Sequence, residues 1–287
     1  MVNKRSNSRA DFENSKGVLL KSTRSQITIF IIIAILLVVA IGIVFVVKDS
    51  LNPVEINPQI GSDNVGDFVT NCLKITAEKG IVVIGRQGGY YNVPALSVSY
   101  TGNDSEPEKY FTNLGNIRVP YYWDGVSLDN LPSQEQIEEQ LSVYVRDNLD
   151  RCINDFDIFK QKGFDVEKGI INASAKIYEE KVIVSLDYPI TITKGESTQT
   201  KKIYSAEIPI RLGLAFNLTR NMVLNHVTCS PVNNPPNLNI SCFAEVMSSN
   251  FNIAIIRLDN SVLLILTDNE YKLDDNYYDF IFAYKYT

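Results

Sequence analysis

Val182-Ile183-Val184-Ser185-Leu186-Asp187-Tyr188-Pro189-Ile190-Thr191-Ile192 is the run from which the fold of this chain is read. Val182, Val184, Leu186, Tyr188, Ile190 and Ile192 alternate with mostly polar neighbours, the period of two that turns one face of a strand to a core and the other to water. Downstream, Lys194-Gly195-Glu196-Ser197 turns the chain into a strand carrying Tyr204, Ala206, Ile208 and Ile210. With residues 170–178 upstream, the pattern predicts a three-stranded antiparallel meander. Nearer the C-terminus, residues 253–258 and 262–266 flank Asp259-Asn260-Ser261 as a hairpin, and residues 280–286 read as an added edge strand.

Upstream of the meander the period is 3.6. Ser133 followed by Gln136 forms a capping box, and Ile137, Leu141, Tyr144, Val145, Leu149, Cys152, Ile153 and Phe156 step by three and four along one face. An earlier helix over residues 64–84 places Val65, Phe68, Val69, Cys72 and Thr76 on a common face, and a further helix covers residues 212–224. Four cysteines allow three connectivities. Cys229 and Cys242 flank a proline-rich excursion whose ends a short bridge can tie together. That leaves Cys72 for Cys152, each on the apolar stripe of its helix. A zinc site lacks ligands, because there is no Cys-x-x-Cys spacing and His226 is the only histidine.

Residues 27–47, Ile-Thr-Ile-Phe-Ile-Ile-Ile-Ala-Ile-Leu-Leu-Val-Val-Ala-Ile-Gly-Ile-Val-Phe-Val-Val, carry no charge. As a helix rising about 1.5 Å per residue they reach roughly 31 Å, the thickness of a bilayer's hydrocarbon core. A cleaved secretory signal has a shorter apolar region and a small-x-small cleavage site, which Val46-Val47-Lys48-Asp49-Ser50 does not supply. Lys4, Arg5, Arg9, Lys16, Lys21 and Arg24 precede the run and outnumber Asp11 and Glu13, so the positive-inside bias places the N-terminus in the cytoplasm. Removing these six basic and two acidic residues from totals of 27 and 33 leaves 21 against 31 in the remainder. That acidic balance argues against nucleic acid and anionic lipid as partners.

The entrance to this run, Lys21-Ser22-Thr23-Arg24-Ser25-Gln26-Ile27-Thr28-Ile29-Phe30, resembles the class III signal peptides of archaeal pilin-like proteins and of single-pass archaeal surface proteins that open in the same way. The resemblance implies cleavage before Gln26 and packing of the freed helix into a filament. Phe30 stands at the fifth mature position, where pilin-like helices carry Glu.

Four Asn-x-Ser/Thr sequons, at Asn103, Asn172, Asn217 and Asn239, all follow the apolar run, as expected of an external portion. Catalytic inventories are thin. His226 is the sole imidazole and no nucleophile elbow accompanies it, while Asp124, Asp129, Glu135 and Glu138 form an acidic region from which a carboxylate-dependent hydrolase would have to draw its pair. Gly85-Arg86-Gln87-Gly88-Gly89 lacks the Lys-Ser/Thr of a phosphate loop and reads as a helix end. Tyr90 and Tyr91, then Tyr121, Tyr122 and Trp123 in a loop, supply rings with polar edges, suited to surface proteins or glycans as partners.

Taken together, the sequence predicts an α+β fold: a single N-terminal transmembrane helix, then an extracytoplasmic domain of two or three amphipathic helices and antiparallel sheet. Residues 1–26 read as a cytoplasmic leader, 27–47 as the transmembrane helix, 48–66 as a stalk and 67–287 as the domain, with any subdivision near 160–164. The expected role is that of a non-enzymatic surface protein for adhesion, envelope organisation or partner binding, with no cofactor or metal. A pilin-like filament subunit and an anchored hydrolase are the alternatives.

Overall fold

A computed structural model describes residues 63–100, 117–229, 249–273 and 275–285. The apolar run 27–47, the stalk up to residue 62, Cys242, Asn103 and Asn239 lie outside them. The first helix, α1 (Asp63–Arg86), is followed by β1 (Ser97–Tyr100), β2 (Ile117–Trp123) and α2 (Gln134–Ile153). Two short helical turns lead into β3 (Asp165–Lys168), β4 (Asn172–Ile177), β5 (Lys181–Lys194) and β6 (Ser197–Pro209). Then come α3 (Leu212–Cys229), β7 (Phe251–Leu258), β8 (Ser261–Leu273) and β9 (Asn276–Lys285).

The strands form two sheets. In one, β3 and β4 lie one after the other along the same edge of β5, and β6 pairs with the opposite edge. The amide of Gly169, between β3 and β4, donates to Pro189 O at 2.7 Å. Pro189 itself falls where the β5–β6 register slips, a place where the ladder asks no amide of it. The other sheet runs β1-β2-β9-β8-β7. Its β2–β9 pair is parallel and its other pairs are antiparallel.

Helix α1 packs against α2, β6 and β9, so its buried stripe of Val69, Leu73, Ala77, Ile81 and Ile84 serves both sheets. Close approach is built in at two glycines. A Cβ on Gly80 would meet the Tyr144 ring at 2.7 Å, and one on Gly85 would meet the carbonyl oxygen of Asp279 at 2.6 Å. One core joins the helices to the meander and to the inner face of the five-stranded sheet, so residues on both sides of 160–164 share it. Leu263, Ile265, Ile281, Ala283, Val119 and Tyr121 gather in a second cluster on that sheet's other face.

The fold class expected from the sequence requires correction. Among the described residues nine strands outweigh the three helices longer than one turn, and the sheet is divided in two, one part mixed rather than antiparallel. Among the described residues no helix is long and apolar enough to cross a membrane. The expected edge strand at 280–286 is instead part of β9, which lies between β8 and β2. Its Phe280-Ile281-Phe282-Ala283 run is apolar on successive residues because both faces are buried, a pattern that carries no period. Residues 121–123, read as loop, are strand β2; their pairing partner is some 160 residues away and nothing local announces it.

Other expectations hold. The meander, the helix at 212–224 and the 259–260 hairpin turn are present. The α2 capping box is formed by Ser133 and Gln136. Cys72 and Cys152 form a disulfide with Cα atoms 5.5 Å apart, joining α1 to α2.

Candidate functional site

The acidic region near α2 does not converge on a cleft. Asp124 accepts the amides of Ser127 at 2.7 Å and Val126 at 2.8 Å, and these bonds, Ser127's foremost, hold its carboxyl below the ordinary range. Asp129 accepts from the Ser127 hydroxyl at 3.0 Å. Glu135 lies in the first turn of α2. Glu138, by contrast, is buried and faces β4.

Its neighbours explain why. Gln134, Glu138, Ser142 and Arg146 recur every four residues, and so form one stripe on α2. Gln134 Nε2 donates to Ile177 O at 2.9 Å, Ile177 N donates to Glu138 Oε1 at 3.0 Å, and Ala175 N donates to Ser142 Oγ at 2.9 Å. Arg146 Nη1 reaches Ala173 O at 3.4 Å. A helix thus supplies from its side chains the partners that a further strand would give the edge of β4. Lys176 Nζ adds a bond to Glu138 Oε2 at 2.7 Å. Burial raises the Glu138 carboxyl, but the bonds from Ile177, Lys176 and Gln134 together outweigh it and leave it lowered.

The aromatic residues singled out by sequence fall in different places. Tyr121 belongs to the outer cluster of the five-stranded sheet. Tyr122 is wholly buried on the inner face, stacked on Phe282 at 5.2 Å, and its hydroxyl donates to Gly88 O at 2.8 Å. Trp123, Tyr90 and Tyr91 are half-buried against the main core. The Tyr90 hydroxyl donates to Asn130 O at 3.2 Å, and the Tyr91 ring meets Tyr144 edge-on at 5.1 Å.

Tyr144 opens onto a pocket of about 370 Å³ between the C-terminal half of α1 and the β8–β9 hairpin end. Lys79 and Arg86, seven residues apart on α1, contribute two cations; Tyr277 and Asp279 face them from β9. Asp279 accepts from the Thr267 hydroxyl at 2.7 Å. Burial pushes its carboxyl above the ordinary value, against the effect of that bond and of the Arg86 charge. Tyr277 is 48 % exposed, and Lys272 Nζ stands 4.5 Å from its ring centre. Sequence reading missed these residues. The only signal was the spacing of Lys79 and Arg86, which puts both on one side of a helix, and their acidic counterpart is almost 200 residues away.

A buried ion pair lies elsewhere. Arg211 donates to both carboxylate oxygens of Asp268, stacks near Phe251 and Tyr271, and reaches Glu270 at 3.0 Å. Asp268 also accepts the amides of Glu270 and Tyr271, where β8 slips register against β9. Both charges are spent on joining the start of α3 to the sheet, which reads as structural. His226 and Cys229 lie in the last turns of α3. Asn172 is exposed at the start of β4; Asn217 is exposed on α3, whereas the Thr219 of its sequon is wholly buried. Among the described residues no group of three His, Cys, Asp or Glu side chains is placed to hold a metal. Comparison with known protein families, curated proteins and solved structures gives no match.

Proposed function

We propose that this chain is a non-enzymatic surface protein, held at a bilayer through residues 27–47 with its N-terminus in the cytoplasm, whose residues 67–287 are displayed outside for adhesion, envelope organisation or partner binding. The observation that carries the reading is the Cys72–Cys152 disulfide, because such bonds persist where thiols are not kept reduced. The uncharged run 27–47 and the basic residues before it support the same topology. The solvent-facing pocket supplies a place for a ligand without demanding chemistry of it.

Fractionation of cells making the full chain, with and without protease added outside, tests the proposal. The chain should stay in the pellet through an alkaline carbonate wash, lose its 67–287 portion to external protease, and show Cys72 and Cys152 resistant to alkylation until reduced. Release by carbonate, or free alkylation of both thiols, overturns it. The filament-subunit reading is favoured by Ser25-Gln26 at the entrance to the run. A mature N-terminus at Gln26, read by mass spectrometry, selects it over a permanent anchor.

A further inference from the structure

The pocket between α1 and the β8–β9 hairpin brings together cations, a carboxylate and tyrosine rings. Lys79 and Arg86 line it without closing an ion pair to any described residue. Against the single carboxylate of Asp279, which the Arg86 charge already reaches, the two cations leave one positive charge in the lining, which a single anion answers. Asp279 lines the same pocket from β9, and a carboxylate there repels a phosphate dianion more than a monoanion and accepts hydroxyl donors. Tyr277, 48 % exposed and with Lys272 over one face of its ring, and Tyr144 line the pocket, and rings of this kind carry flat apolar area with polar edges, which suits the C–H face of a pyranose. At about 370 Å³ the pocket is near the lower end, roughly 300 Å³, of small-molecule sites, a size for one sugar ring rather than a nucleotide.

We infer that this pocket binds an acidic saccharide: a pyranose whose carboxylate lies toward Arg86 and Lys79, whose hydroxyls meet Asp279, and whose ring face rests on Tyr277. This rests on the surface-binding reading and gives it a ligand class. A neutral sugar leaves the cations unanswered, and an aryl carboxylate brings no hydroxyl to Asp279.

The test is a titration of the full chain, purified without reductant, with glucuronate, glucose and benzoate, followed by calorimetry or by saturation transfer to the ligand. Saturable binding of glucuronate is expected, at least tenfold tighter than that of glucose or benzoate, and weakened at least tenfold by Arg86→Ala and by Tyr277→Ala. Lys79→Ala, at an exposed position, provides a second charge removal with little risk to folding, and melting curves confirm that each variant is folded. Absence of saturable glucuronate binding, glucose binding as tight as glucuronate, or benzoate binding as tight as glucuronate each overturns the inference; the last makes the pocket an aryl-anion site. The fractionation outcome is independent, so a surface protein with an empty pocket and a pocket on an unanchored protein are told apart.

Discussion

At the scale of single residues, two tyrosines with equally buried hydroxyls should respond oppositely to loss of that group. Tyr122 donates to Gly88 O at 2.8 Å, whereas the Tyr278 hydroxyl is buried without a hydrogen-bond partner among the described residues. Removing the first hydroxyl strands a buried carbonyl, so Tyr122→Phe should cost about 1–2 kcal/mol in denaturant unfolding. Removing the second relieves an unmet desolvation, so Tyr278→Phe should be neutral or stabilising by up to about 1 kcal/mol. Equal losses in both would mean that the Tyr278 hydroxyl is satisfied in solution. What could be read at this scale was local. The Ser133–Gln136 cap spans three residues and is visible in the sequence. The partner of Tyr122 is 34 residues away on a glycine with φ of +57°, where residue type says nothing of what approaches it.

At the scale of elements, the polar stripe of α2 is what closes the edge of β4. Glu138→Ala leaves the buried Ile177 amide unpaired and should destabilise by about 1–3 kcal/mol. Glu138→Gln keeps an acceptor for that amide but gives up the charge opposite Lys176, and should lose less. The acid dependence follows from the lowered carboxyl. Stability from ionised Glu138 is fully present above the ordinary glutamate value and is lost as pH falls through the depressed folded-state value. Urea melts across the acid range should therefore show a wild-type slope that Glu138→Gln flattens; an unchanged slope assigns the dependence to other carboxylates, Asp155 first, which Lys160 and Lys168 hold down to about 2. Among the elements, the meander was legible because each strand buries one face and alternates. β8 and β9 were only partly so, because their central residues are buried on both faces. β2 escaped notice because Pro120 and the aromatic residues around it suggested a loop, while its parallel pairing with β9 depends on distant contacts.

At the scale of the whole described unit, the position of α1 decides how it unfolds. One helix packs on strands of both sheets, and the Cys72–Cys152 bond ties it to α2 across 80 residues of chain. A loop that long, left open in the unfolded chain, costs folding about 4.5 kcal/mol in the chain-entropy account, with measured values commonly about 2–4 kcal/mol. For a unit of this size that is a fall in melting temperature on the order of 10 °C. Since the core of α1, α2 and the meander continues into the inner face of the five-stranded sheet, there is no surface along which one sheet can melt and leave the other's apolar side covered. Reduction, or the double replacement Cys72→Ala with Cys152→Ala, should lower the transition yet leave it single when circular dichroism and tyrosine fluorescence are followed together. Two separated transitions would place a true domain boundary near 160–164, and α1 would then belong to only one of the sheets it touches. A single but unshifted transition would mean that the native contacts between α1 and α2 already persist in the unfolded ensemble, leaving the bond little entropy to remove.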